Sequence, residues 1–207
     1  MDRLSSVIRA SVILVALSGS ALFGCGGEDA AITPEGAAAG PRSRVEAVAA
    51  EREDPAERFC DVSAPLGQGA ALVLPQVEGP AMPSSGWRWV NVWATWCAPC
   101  VEEMPRIVAW RERLAADGAA IEPYFVSVDQ TPDEVTGFRT AHPDAPASAR
   151  LVDPAGLPGL ITALGLDTGA TIPIHALVDP SGRLRCVRTG SVAERDYDTI
   201  RAIIRGR

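Results

Sequence analysis

The sequence predicts an α/β domain in which a central mixed sheet is flanked by helices. Three observations carry this. Trp87-Arg88-Trp89-Val90-Asn91-Val92-Trp93 is a near-continuous apolar run, the pattern of a strand buried on both faces. It leads through a tight turn into Cys97-Ala98-Pro99-Cys100 and then a stretch with helical periodicity, in which Ile107, Val108, Trp110 and Leu114 share a face. The remainder of the chain alternates strand and helix and closes on two strands and a helix, giving the order β-α-β-α-(α)-β-β-α.

Composition bounds the rest. The chain has 207 residues and 47% hydrophobic content, which suits one ordinary domain after a leader and a linker. Its formal net charge is −7 and it contains no lysine. No basic patch is visible, so nucleic acid is excluded as an expected partner.

Arg3 and Arg9 lead into Ala10–Gly24, an uncharged run rich in Val, Ile, Leu and Ala. It is short for a membrane span, which needs about 20 apolar residues, and suits the apolar region of an export signal. Leu22-Phe23-Gly24-Cys25 resembles a bacterial lipobox, with Phe23 as a departure. The resemblance implies that residues 1–24 are removed and the Cys25 sulfur is lipidated. Residues 25–57 read as a flexible tether, too poor in large apolar side chains to offset their ordering entropy. The folded domain is expected over residues 58–207.

Within it, Ala71–Pro75 reads as a short strand stopped by proline, followed by a loop over Gly79–Gly86. After the core strand, a helix is expected over Ala98–Ala116, with a kink at Pro105 and a stop at Asp117-Gly118. Ile121–Val128 is the next strand. Thr131, Pro132 and Glu134 form a capping-box pattern for a helix over Asp133–Ala141. A Pro/Ala-rich loop over His142–Arg150 leads to Leu151-Val152-Asp153, a minor strand or turn, and to a short helix over Leu157–Leu164. Thr171–Val178 is a strand with Pro173 at its head. Asp179-Pro180-Ser181-Gly182 turns the chain into a strand over Arg183–Arg188, and a last helix covers Ala193–Ile204.

The chemistry centres on Cys97 and Cys100. At a helix start, a spacing of three brings both sulfurs within bridging distance. Unpaired N–H groups and the helix dipole there favour a thiolate, which makes Cys97 the nucleophile and Cys100, one turn in, the resolving thiol. A structural zinc site would need a second Cys/His pair, and Cys60, Cys186, His142 and His175 do not supply one by spacing. His175 reads as a hydrogen-bonded structural residue. Trp96 reads as a cover for Cys97 and an apolar docking surface, Trp93 as core. Cys60 and Cys186 either form a bridge, as leftover cysteines tend to in an oxidising compartment, or remain two buried thiols.

The string Asn91-Val92-Trp93-Ala94-Thr95-Trp96-Cys97-Ala98-Pro99-Cys100, followed by Glu103-Met104-Pro105, closely resembles the active-site segment of thioredoxin-fold oxidoreductases. In its fuller form it is similar to the TlpA/ResA-like branch, which is membrane-anchored and extracytoplasmic, and the likeness extends over about residues 60–206. The resemblance implies a thioredoxin-like fold with an added N-terminal hairpin, and a cis Pro173 facing the cysteine pair. It implies that Ile172 offers its backbone to a substrate strand beside Trp96 and Pro99, and that Glu103 tunes the thiols. Ile174 stands where the family often has Thr. Asn91 stands where ordinary thioredoxins carry a buried Asp, so Asp129 becomes the candidate proton relay. The likeness also implies a Cys60–Cys186 bridge pinning the N-terminal extension to the sheet, and two bridges of sharply different exposure.

The implied activity is a protein-disulfide reductase, as in cytochrome c maturation, with the Cys97–Cys100 couple as its redox group and no metal or other cofactor. The implied partners are protein disulfides, a membrane electron donor and the membrane itself through the lipid anchor. The implied state is a monomer on the extracytoplasmic side. A peroxiredoxin-type peroxidase and a non-enzymatic binding module or chaperone stand as alternatives.

Overall fold

A computed structural model describes residues 54–206. The leader, Cys25 and the tether up to residue 53 lie outside the described residues. The domain begins earlier than position 58: Asp54 caps a helix, α1 (Pro55–Phe59), by accepting from the Ala56 N–H at 2.9 Å.

Seven strands form one sheet: β1 (Val62–Ser63), β2 (Val77–Glu78), β3 (Trp87–Trp93), β4 (Ile121–Ser127), β5 (Ser148–Leu151), β6 (Ile174–Val178) and β7 (Leu184–Thr189). Their order is β1-β7-β6-β3-β4-β5-β2. The parallel pairs are β3–β4 and β4–β5; β3–β6 and β6–β7 are antiparallel. From Arg88 onward β3 is buried at every position, as a central strand covered on both faces must be.

Among the described residues β1 and β2 do not pair with each other as a hairpin. β1 pairs with β7 and β2 with β5, at opposite edges of the sheet. The segment between them is held across the β6–β7 turn instead. The Leu184 N–H donates to Ala70 O at 2.8 Å and the Leu72 N–H to Gly182 O at 3.0 Å, so Ala71 makes one isolated bridge, to Arg183, and no strand. Gly69 permits this crossing, because a Cβ there would lie 1.8 Å from Leu184 O. The Asp179–Gly182 turn is built by the Asp179 carboxylate, which accepts from Ser181 N and Oγ and from Arg183 N, with Gly182 at φ +86°.

The helices are α2 (Ala98–Ala116), α3 (Pro132–Ala141), α4 (Leu157–Ala163) and α5 (Tyr197–Ile204), with 3₁₀ turns at Pro154–Gly156 and Glu194–Asp196. α2 runs unbroken through Pro105, which lies on its solvent side. Cys100, Glu103, Met104, Ile107, Trp110 and Leu114 are its buried residues. Val108, expected on that face, is 40% exposed and lines a groove between α2 and α3. Trp89, Asn91 and Trp93 alternate along β3 toward these helices. Trp89 meets Trp110, which meets Tyr197 of α5, while Trp93 meets Phe138 of α3. All three buried indoles have acceptors: Trp89 at His175 Nδ1, Trp93 at Ser148 Oγ and Trp110 at Glu194 Oε2.

Candidate active site

β3 ends at Trp93, and Ala94-Thr95-Trp96 carries the chain over the end of the sheet to α2. This loop is tied down from β4. Asp129 is fully buried and accepts from Thr95 N (3.1 Å to each oxygen), Thr95 Oγ1 (2.7 Å) and Ser127 Oγ (2.5 Å). The Arg150 guanidinium donates to its backbone carbonyl at 3.1 Å. The Asp129 carboxylate is thus committed to the loop and to its own strand end, and these bonds do not reach a cysteine.

Cys97 is the N-cap of α2, and its Sγ accepts from the Cys100 N–H at 3.3 Å. Cys97 and Cys100 are joined in a disulfide with Cα atoms 5.3 Å apart. On reduction, the sulfur at the cap is the one facing unpaired helix N–H groups, so it carries the more stabilised thiolate. Pro99 in the first turn forfeits no helical hydrogen bond. Ile172-Pro173 is a cis peptide at the head of β6.

Exposure does not divide the two bridges. Cys97 is 5% exposed and Cys100 0%, whereas in the Cys60–Cys186 bridge Cys186 is 2% exposed and Cys60 half-buried. The Cys97–Cys100 pair is as enclosed as the other one, because Cys97 sits within the same apolar core as Val92 and Ala94. Trp96, beside it, is 66% exposed and stands as an apolar platform rather than a lid.

Behind the pair lies a buried polar cluster that sequence reasoning undervalued. Glu103 is one turn beyond Cys100 on the same helix and only 1% exposed. Its Oε1 accepts from Asn91 Nδ2 at 3.0 Å and its Oε2 from the Val192 N–H at 2.9 Å. His175 Nε2 lies 3.4 Å from Oε1. The resemblance offered Glu103 as a residue that tunes the thiols, but not its buried partners. The sequence signal for its burial is its place on the buried stripe, in helical register with Ile107 and Trp110. Among the described residues no group of three or more His, Cys, Asp or Glu is placed to hold a metal ion.

No protein-family model matches the chain. A solved thiol-disulfide isomerase from Corynebacterium glutamicum superposes with a TM-score of 0.51 at 16% identity, over 67% of this chain and 97% of that one. The fold is thioredoxin-like. Two curated proteins are similar in sequence. The thiol:disulfide interchange protein HelX of Rhodobacter capsulatus is 36% identical over 106 residues, 51% of this chain and 53% of that protein. A thiol:disulfide interchange protein DsbE homolog of Paracoccus denitrificans is 31% identical over 113 residues, 54% of this chain and 55% of that one. The chain thus spans about half the length of the curated relatives it matches. The TlpA/ResA-type resemblance of the motif agrees with this likeness to thiol:disulfide interchange proteins.

Proposed function

We propose that this chain is a thiol–disulfide oxidoreductase that reduces protein disulfides. The observation that carries the reading is the placement of Cys97 as the cap of α2, joined to Cys100 one turn in. In the reduced protein, the Cys97 thiolate attacks a substrate sulfur. The substrate disulfide breaks, one substrate thiolate leaves and takes a proton from water, and a mixed disulfide forms. Cys100 then gives up its proton and attacks Cys97 Sγ. The second substrate thiolate leaves, and the two electrons have passed to the substrate while Cys97–Cys100 is oxidised. No metal or further cofactor enters these steps.

Glu103 is the acid nearest in sequence to Cys100 on the buried face of α2, so in this reading it keeps the tuning role, and Asp129 gives up the proton-relay role. Asp129 keeps a supporting role through Thr95. Trp96, Pro99, Ile172 and the cis Pro173 form the substrate side. The electron donor is a membrane protein, and the substrate class includes haem-site thiols in cytochrome c maturation. A signal over residues 1–24 and a lipid on Cys25 would hold a monomeric domain on the extracytoplasmic face. Among the described residues no helix is long and apolar enough to cross a membrane. The vicinal pairing of Cys97 with Cys100 argues against a peroxiredoxin-type peroxidase.

The test is Cys100→Ser in the exported compartment. Mixed disulfides should accumulate on Cys97 and identify the substrates; their absence, with Cys97→Ser as the blank, sinks the reductase reading.

A further inference from the structure

Resting on the reading of Cys97–Cys100 as the redox pair, we infer that His175 is a positioning residue for the Glu103 carboxylate, held as the neutral Nε2–H tautomer by Trp89. His175 lies on β6 directly opposite Asn91 of β3, so the two side chains share a face of the sheet. Both are buried, at 3% and 0% exposure.

An indole N–H only donates. Trp89 Nε1 lies 3.1 Å from His175 Nδ1, so Nδ1 is the acceptor and carries no proton. Asn91 Nδ2 approaches the same nitrogen at 3.3 Å. The amide orientation of Asn91 is itself dictated, because its flipped form would turn an oxygen toward the Glu103 carboxylate. With two N–H donors facing Nδ1, the ring's single proton sits on Nε2, and the acceptor placed near it is Glu103 Oε1, at 3.4 Å. At that separation Nε2 makes no formed hydrogen bond, and Asn91 Oδ1 is likewise without a partner. Both open atoms are costly in a dry core, and of the two only the Nε2–H is a donor that the carboxylate could meet.

The surrounding charges are few. From α2 come Glu103 and, through the Val192 peptide it holds at 2.7 Å, Arg106. From β7, Arg188 pairs with His175 in register, but its guanidinium is turned to the Phe59 carbonyl and ring. Trp89 and Asn91 of β3 bring no charge. A positively charged imidazole would need a proton on Nδ1, against the indole. His175 therefore steadies the Glu103 carboxylate by a dipole and leaves its charge uncancelled behind Cys100. That charge opposes thiolate formation in the pair.

The experiment is ¹H–¹⁵N NMR of the imidazole in oxidised protein, using His142→Gln so that His175 gives the single imidazole signal. The ring should show the Nε2–H tautomer. Trp89→Phe removes the indole donor at Nδ1, and an Nδ1–H form should then appear. Independently, alkylation of Cys97 in reduced protein is followed against pH. His175→Leu removes the dipole that partly offsets the Glu103 charge, so it should move the profile to higher pH by about half a pH unit, which lowers the rate about threefold at a fixed pH below the midpoint. His175→Gln, whose amide supplies both an acceptor and a donor, should restore the wild-type profile. An imidazolium or an Nδ1–H tautomer in the Trp89-containing protein overturns the inference, and so does a His175→Leu profile that overlays the wild type. If His175→Leu does not fold, the tautomer in Trp89-containing protein and its change in Trp89→Phe decide the matter. Neither readout uses a substrate protein, so a chain that fails to reduce disulfides would leave them legible.

Discussion

Asn91 donates its side-chain amide to Glu103 across 3.0 Å in the centre of the domain. A neutral donor on β3 and an acid on α2 thus make one polar contact beneath the Cys97–Cys100 pair. Asn91→Asp would set two carboxyls against each other at 0% and 1% exposure. Both cannot ionise there, so one carboxyl pKa rises in the folded state. A raised pKa means stability that is fully present below the unfolded value, near 4, and lost as pH rises through the folded one. The variant should be less stable than wild type by roughly 2–4 kcal/mol at pH 7 and by less at pH 5. Urea unfolding at both pH values checks this; equal losses would remove the like-charge account.

Asp54 and Arg185 form a second measurable pair, with Nη2 at 2.5 and 2.6 Å from the two carboxylate oxygens. Burial pushes the Asp54 carboxyl up, but the hydrogen bond from Arg185, the Ala56 N–H and the guanidinium charge outweigh it and hold it below its ordinary 3.8. A lowered acid contributes stability present above the unfolded value and lost as pH falls through the folded one. Asp54→Ala removes a helix cap and leaves a buried guanidinium with one carboxylate fewer, so it should cost about 1–3 kcal/mol at pH 7. The gap to wild type should narrow below about pH 4. A pH series of thermal unfolding reads both.

The Cys60–Cys186 bridge closes a loop with a sequence separation of 126. In the chain-entropy description a loop of that size is worth about 4–5 kcal/mol. Cys60→Ala/Cys186→Ala should lower stability by about 2–5 kcal/mol while leaving Cys97–Cys100 able to cycle. Denaturant unfolding, together with thiol counting after mild reduction, separates the two effects. Loss of the Cys97–Cys100 couple in a variant that still folds would show that the bridges are coupled.

Trp96→Ala should change stability by no more than about 0.5 kcal/mol, because the ring is 66% exposed. It should raise KM for a protein disulfide while the alkylation rate of Cys97 stays near wild type. A large fall in stability would show that the indole is structural.

Legibility in the sequence tracks the range of the interactions. α2 is read correctly to both ends, because its cap, its first-turn proline and its apolar stripe are all local. The capping box of Thr131 and Glu134 is local too, with Thr131 N donating to Glu134 Oε2 at 2.8 Å. The pairing of β1 and β2 is not legible because their partners lie more than sixty residues away, as Val62 with Val187 and Val77 with Leu151. Nothing in Ala71–Pro75 indicates that a hairpin turn will cross it. The site divides in the same way. Cys97 and Cys100 declare themselves by spacing. The environment of Glu103 comes from Asn91, His175 and Val192, three positions that only the folded sheet brings together. Asp129 is the more visible acid because it ends a strand. Its oxygens go instead to Thr95 and Ser127, a use that alternation along a strand does not reveal.

The Cys60–Cys186 bridge also sets where mechanical load travels. Tension applied at residue 54 passes from α1 through Cys60 into β7, and from there by the β6–β7 and β6–β3 ladders to the strand that ends at the cysteine loop. The short β1 pairing, which would peel first, is bypassed by a covalent link. A pull between the start of this domain and a substrate held on Cys97 is therefore borne by the middle of the sheet, and stretching the chain at its entry does not strip the edge away.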